Sequence, residues 1–432
     1  MIKKIFFTLL VSIFISQNVF AITLSEALLQ AYKNNPELNA ERENTKISKE
    51  ELKISKSNYL PSITILGTKS QENTKKLTNQ AGVDQSTNDV NPLTQKVTIE
   101  QTLIDFGRRA ELKKNQIGID IANVKLLKKE QDILLKAIEA FSGLILANEK
   151  FKINQSNLGL LERQVETDRA RLERGQITLA DLAQSEASFS GAQAKFIQSK
   201  NDIITNKLNY ENIIGPVSSP DLLKKKSNIN FALPQNLNEA IKISKKNNPD
   251  LIIAKLEFEQ SERDVVIAKS ELAPSAKLSF ENLKTDDFSP TYDEQDKNIL
   301  KATIKWPIYS GGKNKASLNK NRNLMNRKRL LLNNAFKTND TNVASSWSIL
   351  QSSKSLLDSV KSQVQAAEIA NEGITVEYES GLGRSTLDVI QSNSILLNSK
   401  ISLANSERNF LLAKFKLLKS VGLLKKDHLK FQ

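Results

Sequence analysis

Leu300-Lys-Ala-Thr-Ile-Lys-Trp-Pro-Ile308 decides the fold. Leu300, Ala302, Ile304, Trp306 and Ile308 alternate with Lys301, Thr303, Lys305 and Pro307. A period of two gives an extended chain one apolar and one polar face. The pattern also stands earlier in the chain. Val97, Ile99 and Leu103 interleave with Thr98, Glu100 and Thr102, and Ile63 and Ile65 share one side. Two strand pairs are expected, at about 61–106 and about 274–310. The polar stretches inside them, Thr68 to Lys96 and Glu281 to Asn298, read as loops.

Beyond the strands the period changes. Ile117, Ile121, Val124, Leu127, Leu134, Ile138, Phe141 and Ile145 step by threes, fours and sevens, and Leu158, Val165 and Leu172 continue the seam. Val360, Val364, Ala367, Ile374 and Tyr378 do the same later. Leu182, Phe189, Phe196, Ile203 and Tyr210 recur every seven residues, as do Val389, Leu396, Leu403, Phe410 and Leu417. Such a repeat means long helices packed side by side. A helix from about 107 to 172 would measure about 95 Å at ~1.5 Å per residue, a length suited to crossing a compartment. Gly175 and Gly381 suit the left-handed position that ends a helix. Thr178-x-x-Asp181 and Ser385-x-x-Asp388 look like the caps of the next one. Two tight tips follow, Arg174 to Asp181 and Ser380 to Asp388.

The chain carries one plan twice. Leu24–Ile65 resembles Leu237–Leu278, with Asn34-Asn35-Pro36 matching Asn247-Asn248-Pro249 and Pro61 matching Pro274. Thr98-Ile99 and Gly107 recur as Thr303-Ile304 and Gly312, and Asp181, Gln184-Ser185 and Gly215 recur as Asp388, Gln391-Ser392 and Gly422. Thr23-x-x-Glu26 and Asn236-x-x-Glu239 read as capping boxes. Asn35-Pro36 and Asn248-Pro249 read as restarts of a helix. Repeat 1 spans 22–215, with a long helix at about 107–172 and a shorter one at about 179–214. A linker covers 216–235. Repeat 2 spans 236–424, with helices at about 312–379 and 386–421, and a basic tail covers 425–432.

Residues 1–21 read as an export signal: Lys3 and Lys4, an apolar run from Ile5 to Ile15, then Val19-Phe20-Ala21. No later segment is apolar enough for a membrane helix. The 432 residues hold no cysteine and one histidine, His428, which sits in the basic tail and receives no role. Few routes to a metal site or nucleophilic triad remain, so no enzyme, cofactor or metal centre is expected. The net charge of +14 would ordinarily suggest nucleic acid. Export and the scatter of lysines along helical faces argue against that partner, and the run Lys313 to Arg329 reads as a solvated face, with attraction of anionic lipid heads or acidic cargo as the alternative. Four strands are too few to close a channel-bearing barrel, and an open sheet edge in lipid leaves backbone groups unsatisfied. Strands that enter a membrane must therefore be pooled between chains. A periplasmic coiled-coil adaptor or structural protein without a pore is the alternative reading, and a secreted hydrolase lacks any pocket-like framing.

Several motifs together resemble the TolC family of outer-membrane channels. They are Asn34-Asn-Pro-Glu-Leu38 and its copy Asn247–Leu251, Gln101-Thr-Leu-Ile-Asp-Phe-Gly107, Trp306-Pro-Ile-Tyr-Ser-Gly-Gly312, and the tip Tyr378–Val389. The resemblance covers nearly all of the chain after the signal. It implies a mainly α protein with membrane β structure, a homotrimer with a twelve-stranded β-barrel in outer-membrane lipid of a Gram-negative type envelope. A helical coiled-coil barrel would continue it into the periplasm. It also implies an exit duct for drugs, small molecules or proteins in efflux or type I secretion. The implied partners are a periplasmic adaptor (membrane fusion protein) and an inner-membrane ABC, RND or MFS transporter.

The resemblance also implies site residues. Polar ties and acidic side chains close the family's periplasmic entrance. Arg384 falls on the tip arginine, Asp388 on the first acidic position and Asp181 on its counterpart in repeat 1. The second acidic position falls on Gln391. The tip tyrosine falls on Glu379, with Tyr378 one residue earlier. Arg174, Gly175, Gly381 and Gly383 mark the tips expected to meet the adaptor.

Overall fold

A computed structural model describes residues 22–85, 89–225 and 231–426. The expected export signal, part of the linker and His428 lie outside the described residues. Each half runs through two helices, a strand pair, a long helix and a shorter one. Repeat 1 holds α1 (Leu24–Asn34), α2 (Pro36–Ser57), β1 (Ser62–Lys69), β2 (Leu77–Thr78), β3 (Asp84–Gln85), β4 (Leu93–Ile104), α3 (Arg108–Glu173) and α4 (Leu179–Ile213). Repeat 2 holds α5 (Leu237–Asn247), α6 (Pro249–Ser270), β5 (Ser275–Ser289), β6 (Tyr292–Lys305), α7 (Lys313–Glu379) and α8 (Thr386–Ser420).

Helix starts follow the capping residues. Thr23 and Glu26 form a reciprocal box at α1. At α5 the box is only half formed. Asn236 accepts from the Glu239 amide at 2.9 Å, but the Glu239 carboxylate takes the Gln235 amide at 2.7 Å instead of the cap's own. The Asn-Pro corners do more than restart helices. Asn35 Nδ2 donates to the Ile213 carbonyl at 3.2 Å, and Asn248 Nδ2 donates to the Ser420 carbonyl at 2.8 Å. In both repeats the corner thus satisfies an orphan carbonyl at the end of the same repeat's last helix.

β1, β4, β5 and β6 make one antiparallel sheet in that order. Register aligns Ile63, Ile99, Phe280 and Leu300 in one row, and Ser62, Glu100, Ser279 and Lys301 in the next, on the opposite face. A bulge between Thr102 and Ile104 re-aims β4. Ile104, rather than the expected Leu103, joins Ala276 and Ile304 in an apolar row. A second expectation fails between Glu281 and Asn298. That stretch is not a loop but a continuous hairpin turning at Pro290-Thr291. Its polarity is absorbed by cross-strand pairs, Asn282 to Asn298 at 2.8 Å and Lys284 to Asp296 at 3.7 Å. In repeat 1 the corresponding connection carries only the two-residue ribbon β2–β3.

The helices stand side by side below the sheet. Near it α3 lies between α2 and α6, with α7 beyond α6. At the far end α3 lies between α4 and α8, again with α7 beyond. The core is a belt at mid-height. Leu24, Ala27, Leu28 and Ala31 of α1 cover Ile133–Leu144 of α3, together with Tyr210 and with Leu412, Phe415 and Leu418 of α8. Ala240 of α5 makes the matching cluster with Val343, Leu350, Leu417 and Val421. Burial, and then the nearby Glu26 carboxylate, push the Tyr210 hydroxyl up to about 12.

Gly422 closes α8 with φ +78°, and a Cβ there would strike the Asn247 carbonyl. Gly422→Ala is expected to cost about 2 kcal/mol or more, combining left-handed strain with that backbone collision. A thermal melt showing no loss would contradict this packing.

Candidate functional site

Both tips are built alike. At α3 the Gln176 amide donates to the Arg171 carbonyl and the Gly175 amide to the Leu172 carbonyl, both at 2.9 Å. At α7 the Leu382 amide donates to Glu377 at 3.0 Å and the Gly381 amide to Tyr378 at 3.2 Å. This paired closure needs a left-handed residue, supplied by Gly175 (φ +71°) and Gly381 (φ +73°). The next helix opens on a reciprocal cap. The Thr178 amide and hydroxyl donate to Asp181 Oδ2 at 2.9 and 2.7 Å. The Ser385 amide and hydroxyl donate to Asp388 Oδ2, both at 2.9 Å.

Behind the tips, Asp168 of α3 is wholly buried. Its carboxylate accepts from the Tyr378 hydroxyl of α7 at 2.8 Å, from Gln164 Nε2 at 3.0 Å and from the Ser185 hydroxyl of α4. The Tyr378 hydroxyl also meets Thr386 Oγ1 of α8 at 3.1 Å, and the Arg171 guanidinium lies 4.2 Å from the Tyr378 ring centroid. One buried carboxylate therefore joins α3, α4 and α7, and the Tyr378 hydroxyl carries the tie on to α8. Charge-assisted bonds of this kind in a low-dielectric site are the strong ones. Burial, and donation to Asp168, raise the Tyr378 hydroxyl against the opposing Thr386 contact.

The sequence-derived residues divide around this network. Tyr378 is its hub, whereas Glu379, which the resemblance marked as the tyrosine position, is exposed. Arg384 pairs with Glu377 at 2.6 Å and feels Asp388 only at longer range. An open polar cleft of about 510 Å³ brings Asp181 of the first tip to Tyr378, Glu379, Gly381, Gly383 and Arg384 of the second. Arg174, Gly175, Asp388 and Gln391 stand outside the cleft's lining. Asp168, Gln164, Ser185, Thr386 and Glu377 were not anticipated. A signal for Asp168 existed: with Leu158, Leu161, Val165 and Leu172 it steps by threes and fours, so it is a charge in an apolar seam.

The family described as outer membrane efflux protein matches residues 27–215 and again 240–423. The efflux protein BepC of Brucella suis is 27% identical, with 96% of this chain and 89% of the relative covered. The proteases secretion protein PrtF of Dickeya chrysanthemi is 21% identical, with 94% and 89% covered. TolC of Escherichia coli is 20% identical, with 95% and 85% covered. Among solved structures, the Campylobacter jejuni CmeC outer membrane channel superposes with a TM-score of 0.80 at 14% identity, covering 92% of this chain and 85% of that one. VceC of Vibrio cholerae gives 0.77 at 17%, covering 92% and 96%. These likenesses extend the fold described above to a known channel architecture.

Two outcomes are expected at the tips. Asp168→Ala strands three polar partners, Gln164, Ser185 and Tyr378, and should expose the ends of α3 and α7, read as faster hydrogen exchange over 164–186 and 371–390. Unchanged exchange would contradict the tie. The backbone and hydroxyl donors at Thr178 and Ser385 hold Asp181 and Asp388 below the ordinary value of 3.8. A lowered folded value means that the caps stabilise above the ordinary aspartate range and are lost as pH falls through the lowered one. Protection of the first turns of α4 and α8, corrected for intrinsic exchange, should therefore persist at pH 5 and fade only below about pH 4.

Proposed function

The chain belongs to the outer membrane efflux protein family, and from that premise we propose that three copies close into one duct whose periplasmic mouth is held by the Asp168–Tyr378 tie. The protein is an outer-membrane channel subunit with a helical extension into the periplasm, the exit duct of an efflux or type I secretion route. The observation that carries the trimeric reading is a matched set of unfinished edges. Among the described residues β1 and β6 each lack a neighbour on one side. Ile63, Ile65, Leu300 and Ile304 of the apolar face are between 67% and 78% exposed. The helical margins repeat the theme at seven-residue spacing, with Ile47 and Ile54 on α2, Ile197 and Ile204 on α4, and Ile349 and Leu356 on α7 all exposed. A second and third copy would cover both sets at once. The poreless adaptor reading gives the sheet nothing to do.

The tie supports a gate because it joins the α3–α4 hairpin to the α7–α8 hairpin at the end farthest from the sheet. Arg384 with Glu377, the capped Asp181 and Asp388, and Glu379 and Gln391 beside them would line the closing mouth. Arg174, Gly175, Gly381 and Gly383, with exposed Leu179 and Leu382 between them, offer the tips to a periplasmic adaptor. That adaptor would couple the duct to an inner-membrane ABC, RND or MFS transporter.

Detergent-purified protein should run as a trimer and give small single-channel steps in planar bilayers. Asp168→Asn with Tyr378→Phe should raise the conductance several-fold, and Arg384→Gln with Asp388→Asn should raise it less. Wild-type protein that stays monomeric without detergent would overturn the duct, and unchanged conductance in both double variants would overturn the gate.

A further inference from the structure

We infer that the barrel lumen favours anionic cargo, and that Lys297, Lys301 and Lys305 of β6 set this preference. The inference rests on the channel reading above and adds a chemical class of cargo to it. Cross-strand register fixes which side chains share a face. The row from Ile63 to Leu300 marks the lipid side, so the opposite face lines the water-filled interior. Across the strands that face holds Lys96, Lys277 and the three β6 lysines, against Glu100, Glu281 and, at the outer end of β6, Asp293 as its carboxylates. Both glutamates are already engaged: Lys96 reaches Glu281 and Lys277 reaches Glu100, each at 2.7 Å. Five cations against three anions leave a net two positive charges per chain, carried at the β6 lysines, all exposed. They recur every four residues, about 14 Å apart at ~3.4 Å per residue.

Assembly does not neutralise them. In a closed barrel β6 meets β1 of the next copy, and the lumen-side residues of β1 are Ser62, Thr64, Leu66 and Thr68, with no carboxylate among them. The pair Lys284 and Asp296 lies on the opposite face and adds nothing to the interior. The acids of the tips stand at the other end of α3, about 100 Å away at ~1.5 Å per residue. That distance far exceeds the Debye length of about 10 Å at 0.1 M salt, so they leave the barrel's field intact. A fixed positive wall around a narrow aqueous path concentrates anions and depletes cations.

The test is the reversal potential of the reconstituted trimer in a planar bilayer under a KCl gradient, which gives the chloride-to-potassium permeability ratio. K297Q/K301Q/K305Q is expected to lower that ratio several-fold, with each single variant giving a graded part. K284Q, on the lipid face, is expected to leave it unchanged. The difference between wild type and triple variant should shrink in about 1 M salt, where the Debye length is about 3 Å. Conducting channels in which neither the single nor the triple variants shift the ratio would overturn the inference while leaving the duct standing. An absence of wild-type conductance would overturn the duct itself, and the inference with it.

Discussion

The backbone hydrogen bonds at the two free edges of the sheet govern everything else in this molecule. In hydrocarbon each unsatisfied amide or carbonyl costs several kcal/mol, so an open four-stranded sheet cannot stand alone in a bilayer. The chain does not solve this internally, because β1 and β6 are separated by β4 and β5. In the trimer proposed above closure comes from other copies, and the same constraint reaches the helices. Their wall is four wide at each level, and its margins on α2, α4 and α7 carry exposed apolar residues in heptad spacing. Strand edges and helix margins are thus one unfinished interface running the length of the molecule.

The internal repeat explains how one chain supplies both layers. Each half places an Asn-Pro corner against the last turn of its own final helix. It then sends a strand pair upward and returns in a helix of 66 or 67 residues. The belt formed by α1, α5 and the middles of α3, α7 and α8 is where the two halves share a core. Far below it they are joined by Asp168 and Tyr378. A wall packed firmly at mid-height and tied by one buried polar cluster at its end is what the proposed gate requires. The cost of burying Asp168 is offset only while its partners stay in place.

Much of this was legible in the residues. Alternation from Leu300 to Ile304 identified the sheet, and seven-residue steps identified the long helices. Thr178-x-x-Asp181 and Ser385-x-x-Asp388 located the tips to the residue. What failed did so for physical reasons. The polar run from Glu281 to Asn298 read as a loop because composition alone does not reveal cross-strand pairing such as Asn282 with Asn298. Leu103 read as part of an apolar face because a bulge has no signature in alternation. The pairing of Arg384 with Glu377 was not visible, because motif spacing carries no geometry. The role of Asp168 was hidden because its partners Tyr378 and Ser185 are distant in sequence, although its place in an apolar seam was visible.

Cysteine cross-linking tests the central claim most directly, because the chain has no cysteine of its own. Thr64→Cys on β1 would be combined with a cysteine scanned through Ile299, Lys301 and Thr303 on β6. Within one chain these strands lie three spacings apart, about 14 Å, well beyond the ~7 Å that a disulfide spans. Oxidation in native membranes should yield covalent dimers and trimers for at least one pairing. Monomers alone at every scanned position would contradict a shared barrel.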